Sequence, residues 1–101
     1  MNLHVIFVNY TAPLAEVEKV TADHRAWLDQ HFQSGLFITS GPQDPRTGGL
    51  ILARGESREQ LLDLMQQDPF AKAGVADYTI VAFKPVKRSQ DINLEGVALV
   101  Q

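Results

Sequence analysis

The pattern of apolar residues divides most of the 101-residue chain into six predicted elements. Four short runs rich in Val, Ile, Leu and Phe predict β-strands at residues 3–10, 36–40, 49–54 and 77–84. Apolar residues recur about every 3.6 positions over residues 14–34 and predict a helix, either continuous or restarting at Thr21. Ser57 and Gln60 have the spacing of a capping box, which predicts a second helix that ends at Pro69. The order β-α-β-β-α-β is that of a ferredoxin-like α+β fold with an antiparallel sheet.

The predicted strands are apolar on both faces, although two helices can cover only one face of the sheet. In the first strand, Val5 and Phe7 point to one side and Ile6 points to the other. A contiguous apolar patch on the uncovered side is unusual for a soluble monomer. We therefore expect a homodimer through the open sheet face. The alternative is that the tail, residues 85–101, folds back over this face, where residues 94–100 are a candidate for a short extra strand.

Composition and charge indicate one small domain and exclude several classes of partner. The chain has the length of one domain, which we place at residues 1–84 with a tail at 85–101. The formal net charge is −3, and no long run of either sign occurs, so we expect no nucleic-acid or membrane partner. There is no cysteine, which excludes disulfides and thiolate catalysis. The apolar N-terminus lacks a basic leader and is typical of a strand rather than a signal peptide, so we expect a cytoplasmic protein.

His24 lies on the apolar stripe of the first predicted helix, four residues after Val20 and four before Leu28. If the helix restarts at Thr21, the imidazole is in its first turn. The macrodipole there disfavours the imidazolium, so the ring stays neutral, as a general base requires. A lone histidine in such a position is nevertheless more often a core residue bonded to a backbone carbonyl.

Asp68 lies on the apolar stripe of the second predicted helix, four residues after Leu64 and at its C-terminal end. The macrodipole destabilises a carboxylate there by about 0.3–1 kcal/mol, so a compensating partner is expected. His24 is available, because both helices lie on the same face of the sheet. An Asp that accepts from one ring nitrogen fixes the tautomer and leaves the other nitrogen free. The equally weighted alternative is that Asp68 caps the turn that begins at Pro69.

Ser40, Gly41 and Pro42 lie where the second strand is predicted to end. A hydroxyl beside a glycine offers a polar contact and room for close approach, so we predict that these three residues bind a substrate. A Gly-Pro pair after a strand is also typical of a plain turn. We expect no cofactor, since no cofactor fingerprint occurs, and no metal site, since no histidine pair has ligand spacing.

Four motifs, in order, resemble the YCII-related (YciI-like) family over residues 1–84: Asp23-His24-Arg25-Ala26-Trp27-Leu28, Ser40-Gly41-Pro42, Gly49-Leu50 and Asp68-Pro69-Phe70. The resemblance implies a ferredoxin-like domain that forms a dimeric α+β barrel, with an active site on His24 and Asp68. One branch of that family is linked to dehydrochlorination of chlorinated hydroxyquinols, and related barrels include muconolactone isomerases and cofactor-independent monooxygenases. Nothing in the sequence selects a chlorinated substrate.

The leading hypothesis is a small cofactor-independent enzyme that performs elimination, isomerisation or dehydrochlorination. His24 would transfer a proton on a small cyclic or carbonyl-bearing substrate, and Asp68 would orient His24. Ser40 and the Gly41 backbone would bind a substrate oxygen. The first alternative is a non-catalytic dimeric module that binds a ligand or a protein, with His24 and Asp68 as a structural pair. A cofactor-free oxygenase on the same barrel is the third hypothesis.

Overall fold

The computed structural model describes residues 2–55, 57–94 and 96. In this part of the chain, the strands and helices follow one another as β1 (Leu3–Tyr10), α1 (Leu14–Glu18), α2 (Thr21–Gln33), β2 (Phe37–Pro42), β3 (Gly48–Arg54), α3 (Arg58–Met65), α4 (Pro69–Lys72) and β4 (Ala76–Phe83).

The strands form one open sheet in the order β2-β3-β1-β4, with every neighbouring pair antiparallel. This arrangement places β1 in the centre, paired with both β3 and β4. The predicted ferredoxin-like α+β fold is thereby confirmed.

The helices pack on one face of the sheet. Ile6, Ile51 and Ile80 point from three strands into a core that also contains Leu28 of α2 and Met65 of α3. Each such side chain stabilises the fold by about 1.5–3 kcal/mol when it is fully buried. This layer fixes where α2 lies over the sheet, and so where the side chains of α2 can reach.

The first predicted helix takes the divided form of the prediction, since α1 ends at Glu18 and α2 begins at Thr21. Two other boundaries differ from the predicted ones. The second strand does not end before Gly41 but continues through Pro42. A proline is tolerated there because β2 is an edge strand with one unpaired side. The second predicted helix does not run to Pro69 but ends at Met65, and Pro69 begins the short helix α4, where the missing N–H costs no hydrogen bond.

The second face of the sheet carries apolar side chains, and the described part of the tail covers a portion of it. Leu94 is buried against Leu3 and the neighbouring Leu52. Val81 and Phe83, on the same face of β4, remain 50% and 42% exposed. Among the described residues, the tail therefore covers the part of this face around Leu3 and Leu52 and leaves Val81 and Phe83 exposed. The strand predicted at 94–100 falls almost entirely outside the described residues. Among those that are described, no helix is long and apolar enough to cross a membrane.

Candidate active site

The restart of the helix at Thr21 places His24 at the fourth position of α2, where its backbone N–H donates to the Val20 carbonyl at 3.0 Å. Its side chain points across the helix layer toward the start of α4. There His24 Nδ1 lies 2.8 Å from Asp68 Oδ1. The structure therefore brings together the two residues that the sequence singled out 44 positions apart.

Asp68 is the N-cap of α4, so its predicted place at the C-terminal end of the preceding helix is wrong. The helix α3 ends at Met65, and Asp68 begins the next one, where its Oδ1 accepts from the backbone N–H of Phe70 at 3.0 Å. The same oxygen is the partner of His24. The capping alternative and the His24 contact therefore occur together.

Tyr78 is a third member of this group that the sequence reasoning missed. Its hydroxyl donates to Asp68 Oδ2 at 2.7 Å. Burial of the phenol, the nearby Asp68 charge and this hydrogen bond raise the pKa of Tyr78, so its hydroxyl stays protonated. The sequence contained a sign of this contact, because Tyr78 and Ile80 are two residues apart and therefore point to the same, buried face of β4. A buried tyrosine hydroxyl usually has a hydrogen-bond partner.

These three contacts fix the tautomer of His24. Asp68 is fully buried, and its ionised carboxylate can only accept hydrogen bonds. His24 therefore donates from Nδ1, and in the neutral imidazole Nε2 is then the acceptor. Nε2 has no hydrogen-bond partner among the described residues, and it is not sealed from solvent. The imidazole is also held in plane by the Phe70 ring, which stacks on it with a centroid distance of 3.8 Å and an angle of 6°.

His24 lines an open pocket of about 460 Å³ between α2 and the adjoining ends of β1, β2 and β3. Ser40, Gly41 and Pro42 line the same pocket from the edge strand. Ser40 pairs with Ile51 in the sheet, which turns it to the helix-covered face, and its hydroxyl has no partner in the described part of the chain. Asp68 does not line the pocket but lies behind the imidazole.

The other two histidines lie outside this site. His31 packs against Trp27 and Phe37, and burial lowers its pKa. His4 is buried in β1, and its Nδ1 has no partner among the described residues. Within residues 2–55, 57–94 and 96, no group of three His, Cys, Asp or Glu side chains is placed to hold a metal ion.

Comparison with known proteins agrees with the fold. No curated protein sequence matches this chain. A similar solved structure is the 5-chloro-2-hydroxyhydroquinone dehydrochlorinase (TftG) from Burkholderia phenoliruptrix AC1100, in complex with 2,5-dihydroxybenzoquinone. It aligns with a TM-score of 0.68 and 22% identity over 82% of this chain and 94% of that one, a likeness that shows a shared fold. The sequence itself matches the YCII-related domain over residues 3–84, so the chain belongs to the YCII-related family.

Proposed function

We propose that the protein is a small enzyme that transfers a proton on a small cyclic or carbonyl-bearing substrate, without a cofactor, and that His24 is the acid–base group. One observation carries the proposal. One nitrogen of the His24 ring is bonded to a fully buried carboxylate, while the other has no partner in the described part of the chain and the ring lines a pocket. A general base must be oriented in this way to accept a proton from a bound molecule.

In the proposed reaction, Nε2 of His24 takes a proton from a C–H or O–H group of the substrate. The electron pair left behind forms a new π bond as a leaving group departs with its own electrons, which is an elimination. In an isomerisation, the imidazolium returns the proton to a different atom. Asp68 stabilises the imidazolium through the hydrogen bond at Nδ1, and Ser40 and the Gly41 backbone bind a substrate oxygen.

The structural neighbour supports the elimination variant of this chemistry. Its name describes a dehydrochlorinase, and its complex contains 2,5-dihydroxybenzoquinone. The pocket of about 460 Å³ falls within the roughly 300–1,000 Å³ that is usual for small-molecule sites. We therefore propose ring compounds of this size, hydroxyquinols and lactones first, as the substrates to test.

The test is a turnover screen that compares two matched substitutions, His24→Gln and His31→Gln. Wild-type protein is incubated with chlorinated and unchlorinated hydroxyquinols and with lactones, and product formation and oxygen uptake are followed. We expect His24→Gln to lower the rate by about 10²- to 10⁴-fold, the usual contribution of a general base. His31→Gln, on the same helix but outside the pocket, should retain the rate. Turnover that survives His24→Gln refutes the assignment, and His24-independent oxygen uptake would indicate an oxygenase.

A non-catalytic binding module is the rival function, and the environment of Asp68 favours it. Three donors satisfy this buried carboxylate, one of them the capping N–H of Phe70, so the His24 contact also has a structural role. In a binding module, His24→Gln lowers the melting temperature while ligands from the screen still bind and none is turned over. In the enzyme, the loss of rate exceeds what the loss of folded protein explains.

We also propose that two copies pair through the open sheet face and act in the cytoplasm. The exposed Val81 and Phe83 supply the apolar surface that a second copy would bury. Sedimentation velocity tests this pairing with Val81→Asp, which should give monomers. Leu14→Asp is the matched control, because Leu14 is an exposed apolar residue on α1. A monomeric wild type, or a Val81→Asp protein that still dimerises, refutes pairing through this face.

A further inference from the structure

Arg46 brings an unpaired positive charge to the pocket that contains His24. It lies in the loop between β2 and β3, is half-buried and lines the pocket. Its Nε donates to the Tyr10 hydroxyl at 3.3 Å, and one terminal nitrogen donates to Thr21 Oγ1 at 3.5 Å. Both partners are neutral, so the loop is anchored without neutralising the guanidinium.

No carboxylate among the described residues lies within 4.0 Å of this guanidinium. The hydrogen bond to Tyr10 raises the pKa of Arg46, and the charge of Glu18, which is not in direct contact, raises it as well, so the charge persists at every working pH. A guanidinium has five N–H donors, and the two contacts leave the others available. A half-buried cation with free donors and no directly bonded carboxylate among the described residues is well suited to bind an anion, because charge-assisted bonds of arginine to carboxylates are among the strongest in proteins.

An anion bound at Arg46 would lie close to the imidazole of His24. Thr21, which Arg46 contacts, precedes His24 by three residues on α2, so their Cβ atoms are about 5–6 Å apart. On the other side, the Tyr10 ring meets the edge of Phe70, which stacks on His24. An anionic group at Arg46 is therefore about one helical turn from the proton acceptor, a span that one substituted ring can bridge.

We infer that the ligand of this pocket is a small ring compound with an anionic oxygen substituent, a carboxylate or an ionised hydroxyl, and that Arg46 binds this oxygen. The inference rests on the proposed function for the role of His24 and adds the charge of the substrate to it. The Thr21 hydroxyl donates to the Val17 carbonyl and so offers Arg46 only its oxygen. The Tyr10 hydroxyl accepts from Arg46, so its O–H is available to donate to the same anion. When His24 removes a proton, Arg46 also stabilises the negative charge that develops on the ring.

The experiment measures binding alone, so it does not depend on turnover. Calorimetric titrations at low ionic strength compare 2-hydroxybenzoate with its neutral analogue 2-hydroxybenzamide, and 2,5-dihydroxybenzoquinone serves as the probe with ionised hydroxyls. We expect wild-type protein to bind the benzoate or the quinone about tenfold or more tightly than the amide, as expected for a hydrogen bond to a charged group. Preference for one of the two anions distinguishes a carboxylate from an ionised hydroxyl as the natural group.

Three variants identify the residue responsible. Arg46→Gln should abolish the preference for the anion and leave the affinity for the amide unchanged, and Arg46→Lys should retain part of the preference. Lys87→Gln removes one positive charge from the exposed tail and should bind as wild type does. If Arg46→Gln proves unfolded, the wild-type preference and Arg46→Lys carry the test.

Equal affinity of the wild type for anion and amide overturns the inference, as does failure to bind either anion. A folded Arg46→Gln protein that still prefers the anion also overturns the inference. So does one whose affinity for the amide falls as much as its affinity for the anion, because the arginine then only anchors the loop. These results are separate from the proposed function. An anion preference without any turnover supports Arg46 as a binding residue and contradicts the proposed enzymatic function. His24-dependent turnover without an anion preference supports the enzymatic function and contradicts the role of Arg46.

Discussion

Substituting Asp68 with asparagine removes the charge behind His24 while keeping its hydrogen bonds. In the wild type, Oδ1 accepts from the Phe70 N–H and from His24, and Oδ2 accepts from Tyr78. The Phe70 N–H can only donate, so the amide oxygen of Asn must occupy the Oδ1 position. The amide NH₂ then faces the Tyr78 hydroxyl, which can rotate to accept. His24 still donates from Nδ1, so its tautomer is preserved.

The expected effect of Asp68→Asn on stability is small. Hydrogen bonds to charged groups contribute about 1.5–3 kcal/mol and neutral ones about 0.5–1.5 kcal/mol, so the three contacts weaken. The desolvation cost of the buried charge, which is several kcal/mol, disappears at the same time. We expect the free energy of unfolding to change by about 1 kcal/mol or less. Asp68→Ala is the contrasting variant, because it leaves the donors without an acceptor and should cost roughly 3 kcal/mol or more.

The expected effect on proton transfer is large. When His24 accepts a proton, the imidazolium in the variant lies against a neutral amide instead of a carboxylate. Two unit charges 4 Å apart attract by about 4 kcal/mol at an effective dielectric constant of 20. The pocket admits some solvent, so we assign roughly 3–4 kcal/mol to the lost attraction, which lowers kcat by about 10²- to 10³-fold. The loss is smaller than the roughly 10⁴-fold seen when such a substitution also changes the tautomer, as in the serine-protease triad.

Two measurements check these expectations. Nitrogen-15 NMR of the imidazole should show the Nδ1–H tautomer of His24 in wild type and in Asp68→Asn alike, and it needs no substrate. Turnover with any substrate found in the screen then gives the rate. An Nε2–H tautomer in the variant contradicts the assignment of the Asp68 oxygens. An undiminished rate with the tautomer retained means that the carboxylate charge has no part in the reaction.

Three further predictions concern residues around the pocket and its helix. Tyr78→Phe leaves Oδ2 of Asp68 buried without a donor, so it should lower the free energy of unfolding, measured in urea, by about 1–3 kcal/mol. The control Tyr10→Phe should lower it by less, and equal losses in the two variants contradict the role of the Tyr78 hydroxyl. Burial lowers the pKa of His31 in the folded state, so the unfolded chain binds its proton more readily, and stability should fall as the pH drops below about 6.5. His31→Gln should reduce that fall between pH 7 and pH 5, and an unchanged pH dependence contradicts the assignment. Ser40→Ala should raise KM about tenfold with kcat and melting temperature unchanged, and a change in kcat alone would show that the hydroxyl acts in another way.

The fold could be predicted because its elements are marked by local patterns. The alternation in β1 and the cap before α3 depend on neighbouring residues only. The alternation is present, and of the capping box the bond from the Gln60 N–H to the Ser57 hydroxyl is present. The boundaries at Pro42 and Pro69 could not be predicted, because they depend on which strand lies at the edge of the sheet and on where α3 stops. Proline was interpreted as a terminator in both places. Within the finished fold it instead lies in an unpaired edge and in the first turn of a helix.

Part of the site was accessible from sequence for a similar reason. His24 interrupts an apolar stripe, which makes it visible, and the Asp68-Pro69 pair carries the signature of a helix N-cap. Tyr78 contacts Asp68 through the packing of β4 against α4, a relation that no local period encodes. Arg46 could be located only in a loop, and its lack of an acidic partner is visible only when the surrounding chain is in place.

Asp68 Oδ1 accepts hydrogen bonds from both the Phe70 N–H and His24, which bears on whether the His24 contact is structural or catalytic. One oxygen caps α4 and holds the imidazole, so any motion of α4 would carry the base with it. A structural role therefore supplies the rigidity that a general base needs, and the two roles do not exclude each other. A purely structural pair of His24 and Asp68 would not require the other polar groups of the pocket. Nε2 of His24, the Ser40 hydroxyl and the charge of Arg46 all lack partners there among the described residues. All three groups face an open pocket that solvent can enter, and the anionic ligand proposed for this pocket would contact each of them.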